Sequence, residues 1–206
     1  MPGIKTKSFF FVLEGIDGSG KSTQAKLLGD FLEQQGIAFQ ELREPTSGRW
    51  GQEIKRILQT QENVPKEELL HLFLRDREED VKKNILPALE KKQSIVMDRY
   101  YFSNLAYQGA MGLKVSDIWQ ENRKRNFPEP DRVYYIDLLP ETAMARINLR
   151  SNLNKQPQEI FEKENFLKKV REIYLQLESD NFRIIKGDQS PLEVFQIIKK
   201  DLLNFF

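Results

Sequence analysis

Cysteine is absent from this chain of 206 residues, which excludes disulfides and metal sites built from thiolates. His71 is the only histidine, so a metal site made of histidines is excluded as well. The longest apolar run near the N-terminus covers residues 9–13, far shorter than a membrane span or a signal-peptide core. We therefore expect a soluble, cytoplasmic protein with no membrane partner.

A strong net charge is also lacking, because 32 Lys and Arg stand against 31 Asp and Glu. The formal charge of +1 gives no global field that favours a nucleic acid, so any anion site has to be local. The basic run at residues 123–125 is expected to be a solvated helix end. With 39% hydrophobic residues the chain can form one substantial core, which predicts a single domain over residues 1–206.

The hydrophobic pattern alternates short apolar runs with segments of helical spacing. Strands are predicted at residues 8–14, 38–42, 94–97, 132–137 and 182–186. Helices are predicted at residues 22–35, 50–58, 66–89, 100–108, 115–124, 141–150, 163–177 and 192–203. Pro87 is expected to kink the long helix or to start its last turn. The polar segment 151–158 is predicted to be a mobile loop.

This alternation predicts an α/β fold, a three-layer sandwich with a five-stranded parallel sheet covered by helices on both faces. Ligands of such sheets bind at the carboxyl ends of the strands. Polar clusters at residues 15–22, 43–47 and 98–100 follow the first three strands. We therefore expect the chemistry at this edge of the sheet.

Residues 15–23 read GIDGSGKST and fit the phosphate-loop (P-loop) pattern G-x-x-x-x-G-K-[ST], with a strand before and a helix after. Glycines let backbone N–H groups converge on phosphate oxygens, and the helix N-terminus adds a favourable field. Lys21 is expected to reach the β and γ phosphates of ATP, and Ser22 to ligate Mg²⁺. The predicted nucleotide-binding residues are Gly15, Asp17, Gly18, Ser19, Gly20, Lys21, Ser22 and Thr23. The alternative is a glycine-rich turn that binds no nucleotide, which is rare where a strand precedes the turn and a helix follows it.

A P-loop alone fits GTPases, transporters, small-molecule kinases and regulatory ATPases. The Asn-Lys-x-Asp string of guanine-specific GTPases does not occur in the sequence, which counts against a switch protein. The small size and the many arginines favour a kinase.

Asp98 and Arg99 close the third predicted strand and should lie beside the P-loop. There Asp98 can hold the Mg²⁺ shell, and the planar guanidinium of Arg99 can neutralise charge between donor and acceptor phosphoryl groups. The alternative is that this pair only caps the following helix. Arg43 and Arg77 could clamp an acceptor phosphate. Phe73 lies four residues before Arg77 on one helix face, which suits a ring stacked on a base, although such pairs are usually core and salt bridge.

Five strings together resemble the thymidylate kinase family over nearly the whole chain: GIDGSGKST, REP, LFLRDR, DRY followed by SNLAYQG, and PDRVYYID. The resemblance implies a five-stranded parallel sheet and a homodimer. It also implies Mg²⁺-dependent phosphoryl transfer from ATP to dTMP, which gives dTDP and ADP for dTTP synthesis.

The resemblance assigns acceptor binding to Asp17, Arg43, Phe73, Arg77, Arg99, Ser103, Asn104, Tyr107, Gln108 and Glu162. It implies that Arg43 and Arg99 bind the acceptor phosphate. Phe73 would stack on thymine while Arg77 binds its edge. Tyr107 would act as a filter against a ribose 2′-hydroxyl.

Members of the family usually carry a catalytic arginine in the P-loop, next to the aspartate, or in a lid over ATP. Here Gly18 occupies the first position, and Ile160-Phe161-Glu162 stands where the lid has Arg-aromatic-Glu. The basic candidates for this charge are Arg146, Arg150 and Lys155. Arg150 is preferred because it ends a predicted helix at the hinge of a lid over residues 151–162. A second departure is Thr46-Ser47-Gly48 after REP, where many bacterial members have two glycines and a threonine.

The predicted catalytic residues are Lys21, Asp98, Arg99 and Arg150, with Ser22 and Asp98 at the metal. We expect the acceptor phosphate to attack the γ-phosphorus in line, without a covalent enzyme intermediate. Two alternatives remain at this point: a kinase for another deoxynucleotide or nucleoside, and a nucleotide-binding module without efficient transfer.

Overall fold

The computed structural model describes residues 8–154, 161, 163–177 and 179–206, with the side chains of residues 150–154 left aside. Its centre is a parallel sheet of five strands in the order β2-β3-β1-β4-β5. The strands are β1 (Phe10–Glu14), β2 (Phe39–Arg43), β3 (Ser94–Asp98), β4 (Arg132–Asp137) and β5 (Phe182–Lys186). Every residue of β1 and β3 is buried, as expected for central strands covered on both faces. The predicted fold class is confirmed.

Helices connect the strands in the predicted order. They are α1 (Lys21–Gln34), α2 (Arg49–Thr60), α3 (Lys66–Asp80), α4 (Leu86–Glu90), α5 (Tyr101–Ala110), α6 (Val115–Arg123), α7 (Pro140–Asn154), α8 (Glu164–Leu175) and α9 (Pro191–Leu202). In the described part, no helix is both long and apolar enough to cross a membrane.

The long predicted helix at 66–89 consists of α3, a π-helical turn (Val81–Ile85) and α4. Pro87 lies in the first turn of α4, as predicted. Proline has no N–H to donate back along the helix, and the wider π-helical turn lies where that bond would otherwise form. The helix therefore continues past a residue that normally ends one.

The predicted boundary after Arg150 is wrong, because α7 continues to Asn154 and includes the first part of the predicted loop at 151–158. Polar residues such as serine and asparagine lower helix stability by less than about 1 kcal/mol each, so they do not stop a helix that has already formed. Residues 155–160 lie outside the described part, and the remainder of the loop prediction is not tested there.

The sheet separates two apolar clusters because neighbouring side chains of a strand point to opposite faces. On β1, Phe10 and Val12 join the cluster that packs against α2, α3, α5 and α8. Phe11 and Leu13 join the cluster under α1 and α9. Alternate side chains of one buried strand therefore pack against the helices on both faces of the sheet, which gives three layers.

The sheet order brings the ends of β2, β3 and β1 together at one edge. Asp98, the last residue of β3, is in register with Leu13 of β1 and with Arg43 of β2. The backbone N–H of Arg99 extends the ladder by donating to the Leu13 carbonyl at 3.0 Å. Side chains that are far apart in the sequence are therefore neighbours just beyond the sheet.

Aromatic rings at the end of α9 close the second apolar cluster. Phe205 is largely buried and meets the rings of Phe9 and Phe11 edge-on, with centroids 5.6 and 5.4 Å away. Phe206 is 53% exposed, and its ring lies 5.4 Å from Phe9 and 6.1 Å from Phe31. The two rings thus differ in burial but share a neighbour.

Replacing Phe205 by alanine is expected to lower the free energy of unfolding by about 2 kcal/mol, because buried ring contacts are lost. Phe206→Ala is the matched control and should cost about half as much, since half of that ring is already in water. Urea denaturation of both variants measures the difference. Equal losses would contradict the packing described here.

Candidate active site

The P-loop connects β1 to α1 and depends on three glycines with positive φ: Gly15 at 148°, Gly18 at 80° and Gly20 at 102°. This part of backbone space is open to glycine and costly for other residues. Gly18 has a second constraint, since a Cβ there would lie 2.7 Å from the carbonyl oxygen of Ala143 in α7. No side chain fits at position 18 unless α7 moves.

Lys21 is the first residue of α1 and lies under the loop. Its ammonium group is buried and donates to the Ile16 carbonyl at 2.9 Å. Burial, together with the nearby positive charge of Arg99, lowers the pKa of Lys21 to about 8. The loop therefore holds a cation that is poorly compensated until an anion arrives.

Ser22 and Asp98 lie side by side where α1 meets the end of β3. The Ser22 hydroxyl donates to Asp98 Oδ2 at 2.7 Å, and Arg43 Nε is 3.9 Å from the same oxygen. Asp98 Oδ1 is buried and has no hydrogen-bond partner among the described residues. A hydroxyl beside a carboxylate suits a hard cation such as Mg²⁺, which prefers oxygen ligands. In the described part, no group of three or more His, Cys, Asp or Glu could hold a metal ion.

A first cleft, which we call the P-loop cleft, has a volume of about 470 Å³. Its lining is Asp17 to Gln24, Arg43, Asp98, Arg146, Ile147, Gly187, Gln189, Pro191 and Val194. Arg146 spans the opening, since its guanidinium donates to the carbonyls of Gly18 at 3.4 Å and Gly187 at 3.3 Å. This cleft brings together all predicted nucleotide-binding residues except Gly15, the first residue of the loop.

A second cleft, the Phe73 cleft, has a volume of about 300 Å³ and shares Asp17 and Arg43 with the first. Its lining is Asp17, Arg43, Pro45, Lys55, Leu58, Gln59, Phe73, Arg99, Ser103, Asn104, Tyr107, Gln108 and Phe161. Eight residues in this set were predicted from the sequence as acceptor contacts. The α2 side, with Lys55, Leu58 and Gln59, was missed because the helical pattern there carried no motif.

Arg99 lines the Phe73 cleft, contacts Asp17, which both clefts share, and has a positive φ of 73° directly after β3. Its guanidinium donates to Asp17 Oδ1 at 2.6 Å, to Ser103 Oγ at 3.2 Å and to the Tyr107 hydroxyl at 3.1 Å. The Tyr107 hydroxyl in turn donates to Asp17 Oδ2 at 3.1 Å. Burial alone would raise the pKa of Asp17, but the charges of Arg99 and Lys21 outweigh it and hold this pKa well below its usual range. Asp17 is therefore a carboxylate at neutral pH.

Glu14, the last residue of β1, fixes the start of α5 beneath Arg99. Its carboxylate accepts from the Tyr100 backbone N–H at 2.8 Å and from the Ser103 hydroxyl at 2.7 Å. The Tyr174 hydroxyl of α8 donates to it at 2.8 Å. Burial raises the pKa of Glu14, and these donors oppose the rise. Sequence reasoning missed this role, although a carboxylate ending a continuous apolar run was a signal for it.

Arg77 is 1% exposed and does not line either cleft. Its guanidinium forms an ion pair with Glu44, with Nε 2.9 Å from Oε2, and donates to the amide oxygens of Asn104 and Asn122. Of these partners, Asn104 faces the Phe73 cleft. The predicted contact of Arg77 with a base stays a prediction, and its side chain lies behind Asn104, outside the lining of the Phe73 cleft.

Asp76 holds the loop that follows β2. Its carboxylate accepts from the Thr46 backbone N–H at 2.8 Å and from the Thr46 hydroxyl at 2.6 Å. Lys55 donates to the Thr46 carbonyl at 2.8 Å. The departure from the usual family sequence at residues 46–48 is thus accommodated by specific bonds.

Several predicted residues lie outside the described part: the side chain of Arg150, together with Lys155, Ile160 and Glu162. The lid prediction for 151–162 therefore stays a prediction, because only residues 151–154 and 161 of this range belong to the described part. Phe161 is described and stacks on Phe166 at 5.1 Å, with Tyr107 at 5.3 Å. It forms part of the Phe73 cleft.

A P-loop at the end of a central strand, a second cleft beside it and an arginine between the two define a P-loop phosphotransferase. The family model for thymidylate kinase matches residues 13–198 of the chain.

Relatives agree with this match. The probable thymidylate kinase of Archaeoglobus fulgidus is 39% identical over 194 residues, which cover 94% of each chain. The thymidylate kinase of Leptospira interrogans is 40% identical over 191 residues, covering 92% of this chain and 91% of its own. The probable thymidylate kinase of Pyrococcus horikoshii is 40% identical over 209 aligned positions, covering 96% and 99%. The chain therefore belongs to the thymidylate kinase family and is a nucleoside monophosphate kinase.

The ion pair between Arg77 and Glu44 gives a prediction for stability. Arg77→Met should lower the free energy of unfolding by about 3 kcal/mol near neutral pH, because a buried carboxylate loses its partner. Burial already raises the pKa of Glu44 against the attraction of Arg77, and removing the guanidinium raises it further. The folded variant then binds a proton that the unfolded chain releases above about pH 4.5, so its stability falls as pH rises.

Burial already raises the pKa of Glu44 in the wild type to about 8, so the stability of both proteins falls with pH up to that value and the two profiles separate above it. Denaturation of Arg77→Met and of the wild type between about pH 7 and pH 10 measures this difference. The double variant Glu44→Gln/Arg77→Met removes the titrating group and is the control. It should lose the extra pH dependence, and a variant profile parallel to the wild type would contradict the ion pair.

Proposed function

We propose that this enzyme transfers the γ-phosphoryl group of ATP to dTMP, giving dTDP and ADP for dTTP synthesis, with Mg²⁺ as cofactor. One observation carries the proposal: the two clefts share Asp17 and Arg43, and each is lined by one buried cation, Lys21 in the P-loop cleft and Arg99 in the Phe73 cleft. A donor in one cleft and an acceptor in the other would face each other across these charges. The names of the relatives support dTMP as the acceptor.

ATP fits the P-loop cleft with its phosphates on the loop. Backbone N–H groups and the N-terminus of α1 favour the negative charge, and the Lys21 ammonium can leave the Ile16 carbonyl for the β and γ phosphates. Arg146, lying across the opening, supplies a planar cation over the base or ribose. Asp98 and Ser22 would hold Mg²⁺, which neutralises phosphate charge when bound.

The acceptor fits the Phe73 cleft, where Phe73 offers a ring for the thymine base and the amides of Asn104 and Gln108 offer hydrogen bonds. Gln108 Nε2 is buried and has no hydrogen-bond partner among the described residues. Asp17 and Tyr107 face the sugar. Arg43, Arg99 and the lid residue Glu162 complete the proposed contacts, and Arg77 acts through Asn104 on the described geometry.

In the proposed reaction an oxygen of the acceptor phosphate attacks the γ-phosphorus in line. The new P–O bond forms as the bond to the β–γ bridging oxygen breaks, and ADP leaves with that oxygen. A phosphate dianion needs no strong general base. The chain contributes alignment and charge through Lys21, Arg99 and Arg43, while Asp98 holds the metal.

We propose that Arg150, four residues before the end of α7, provides the lid cation, since Gly18 leaves no room for an arginine in the P-loop. Closure of residues 151–162 would exclude water from the transfer. The family resemblance also supports a single-domain homodimer in the cytoplasm, with small-molecule substrates and no nucleic acid or membrane partner.

A coupled assay of ADP release tests the proposal, with ATP, Mg²⁺ and a panel of deoxynucleoside monophosphates and nucleosides. Release should be selective for dTMP and absent in Lys21→Ala. Activity with another acceptor would refute the thymine assignment, and ATP binding without any release would refute transfer. Phe206→Ala changes no residue that lines either cleft, so it is the control for activity lost during preparation of a variant.

The lowered pKa of Lys21 predicts how ATP binding depends on pH. Only the protonated ammonium attracts phosphate, and its protonated fraction falls about tenfold for each pH unit above about 8. The dissociation constant for ATP should therefore rise between about pH 7 and pH 9.5, as measured by calorimetry without an acceptor.

Lys21→Arg is the matched variant, because a guanidinium stays protonated throughout this range. Its affinity for ATP is expected to be lower at pH 7 but nearly constant with pH. An identical pH profile in both proteins would show that Lys21 does not cause the dependence.

A further inference from the structure

A third cleft, which we call the Trp119 cleft, is lined by residues of α5, of α6 and of the segment between α6 and β4. Its volume is about 370 Å³, larger than the 300 Å³ of the Phe73 cleft, and it shares no lining residue with either of the other two clefts. The rings of Tyr101, Trp119 and Phe127 line it, together with the charged side chains of Arg123 and Glu129. The proposed reaction does not use this cleft.

Tyr101 carries a polar group without a partner in the described part of the chain. The residue is 7% exposed and lines the Trp119 cleft. Its hydroxyl forms no hydrogen bond there, whereas the hydroxyl of the neighbouring Tyr100 donates to the Pro128 carbonyl at 3.2 Å. The Tyr101 hydroxyl is also not one of the shielded polar atoms, so a ligand in the cleft can reach it. A buried tyrosine hydroxyl normally has a hydrogen-bond partner, which makes this one available to a ligand.

Charges of both signs lie near this hydroxyl. Glu129 and Arg123 are exposed, and within the described ranges neither side chain forms an ion pair or a hydrogen bond. Burial raises the pKa of Tyr101, the charge of Glu129 raises it further, and the charge of Arg123 opposes the rise. The Arg123 guanidinium packs over the Trp119 ring at 5.4 Å. The cleft therefore offers an acceptor, a donor and a cation beside aromatic surface.

These groups are complementary to a nucleotide whose base has a ring N–H beside a carbonyl, as in thymine, uracil or guanine. The Glu129 carboxylate can accept from the N–H, and the Tyr101 hydroxyl can donate to the carbonyl. The Arg123 guanidinium suits a phosphate, and one free cation suits one phosphate. Aromatic rings and guanidinium planes also stack on bases. A ligand with an ammonium group fits less well, because Arg123 would repel it.

The Trp119 cleft and the Phe73 cleft are both supported by the buried guanidinium of Arg77. Asn122 lines the Trp119 cleft, and its Oδ1 accepts from Arg77 Nη1 at 2.9 Å. Asn104 lines the Phe73 cleft, and its Oδ1 accepts from the same nitrogen. The guanidinium carbon also lies 5.7 Å from the centre of the Phe127 ring. One nitrogen atom thus connects the walls of the two clefts.

We propose that the Trp119 cleft is an effector site, which binds a nucleoside monophosphate with a keto base and thereby changes the affinity of the Phe73 cleft for its acceptor. Binding does not depend on the proposed function. The coupling rests on it in one respect, that the acceptor occupies the Phe73 cleft. Coupling is reciprocal, so acceptor and effector change each other's dissociation constants by the same factor.

Tryptophan fluorescence tests the binding. The chain has two tryptophans, and Trp50 lines none of the three clefts, so a Trp50→Phe background reports on Trp119 alone. The probes are dTMP, UMP and GMP, each without ATP. At least one should quench the emission saturably, with a dissociation constant below about 1 mM. Tyr101→Phe and Glu129→Gln should each weaken this binding about fivefold, because one hydrogen bond is lost. Asp117→Asn removes a charge from α6 outside the cleft and should leave the binding unchanged.

Two results of this titration would overturn the proposal. One is the absence of a saturable quench with all three probes. The other is a quench that persists equally in Tyr101→Phe and Glu129→Gln, because such a signal would come from the Phe73 cleft. If Trp50→Phe does not fold, equilibrium dialysis replaces fluorescence. The wild type should then bind more of the probe than Glu129→Gln at the same free concentration, and equal amounts would overturn the proposal.

Steady-state kinetics tests the coupling. At saturation the bound probe should change the KM for the acceptor by at least about fivefold, while the KM for ATP stays within about twofold. Glu129→Gln should lose most of this change and Asp117→Asn should keep it. If the bound probe is dTMP itself, the coupling appears as a departure from a hyperbolic rate curve that Glu129→Gln removes. A change of equal size in all three proteins would be direct competition, and this result or an unchanged KM would overturn the effector role.

The measurements also separate this inference from the proposed function. An enzyme that transfers nothing to dTMP would refute the proposed reaction, while the fluorescence titration would still decide whether the Trp119 cleft binds a nucleotide. Selective transfer to dTMP together with a Trp119 signal that no probe changes would refute the effector site and leave the reaction standing.

Discussion

The ion pair between Arg99 and Asp17 is the interaction on which the rest of the site depends, because it connects the end of β3 to the P-loop. The sheet sets its geometry, since the backbone N–H of Arg99 bonds to Leu13 of the neighbouring strand. Both charges are largely removed from water, and each compensates the other. The phosphates of two substrates can bind beside this ion pair only if its two side chains keep their positions.

Buried charges are concentrated on one side of the sheet. Glu14, Glu44 and Asp76 each bind a donor that belongs to the Phe73 cleft or to its supporting wall. The opposite side, under α1 and α9, is packed mainly with phenylalanine, leucine and isoleucine. Apolar contacts on the α1 and α9 side stabilise the fold. On the other side, burial of polar and charged groups costs stability, and hydrogen bonds hold these groups in one orientation.

Local patterns were sufficient to predict the strands, the P-loop and the position of Asp98 beside Ser22, because each depends on residues close in sequence or on sheet topology. The α2 wall of the Phe73 cleft was not predictable, since Lys55 and Gln59 reach it only through tertiary packing. The burial of Arg77 has the same cause: its partners Glu44 and Asn122 are 33 and 45 residues away. The end of α7 does not follow from composition, because the polar residues after Arg150 do not end a helix that has already formed.

The contact between the P-loop and α7 couples two parts of the site that are far apart in the sequence. A Cβ at position 18 would point at the Ala143 backbone, so any side chain there would push α7 away from the loop. Because α7 also carries Arg146, whose guanidinium bonds to the carbonyls of Gly18 and Gly187, the same push would disturb that cation. Glycine at position 18 thus acts as a spacer that sets the distance between loop and helix, and at this point the loop contributes its backbone rather than a side-chain charge.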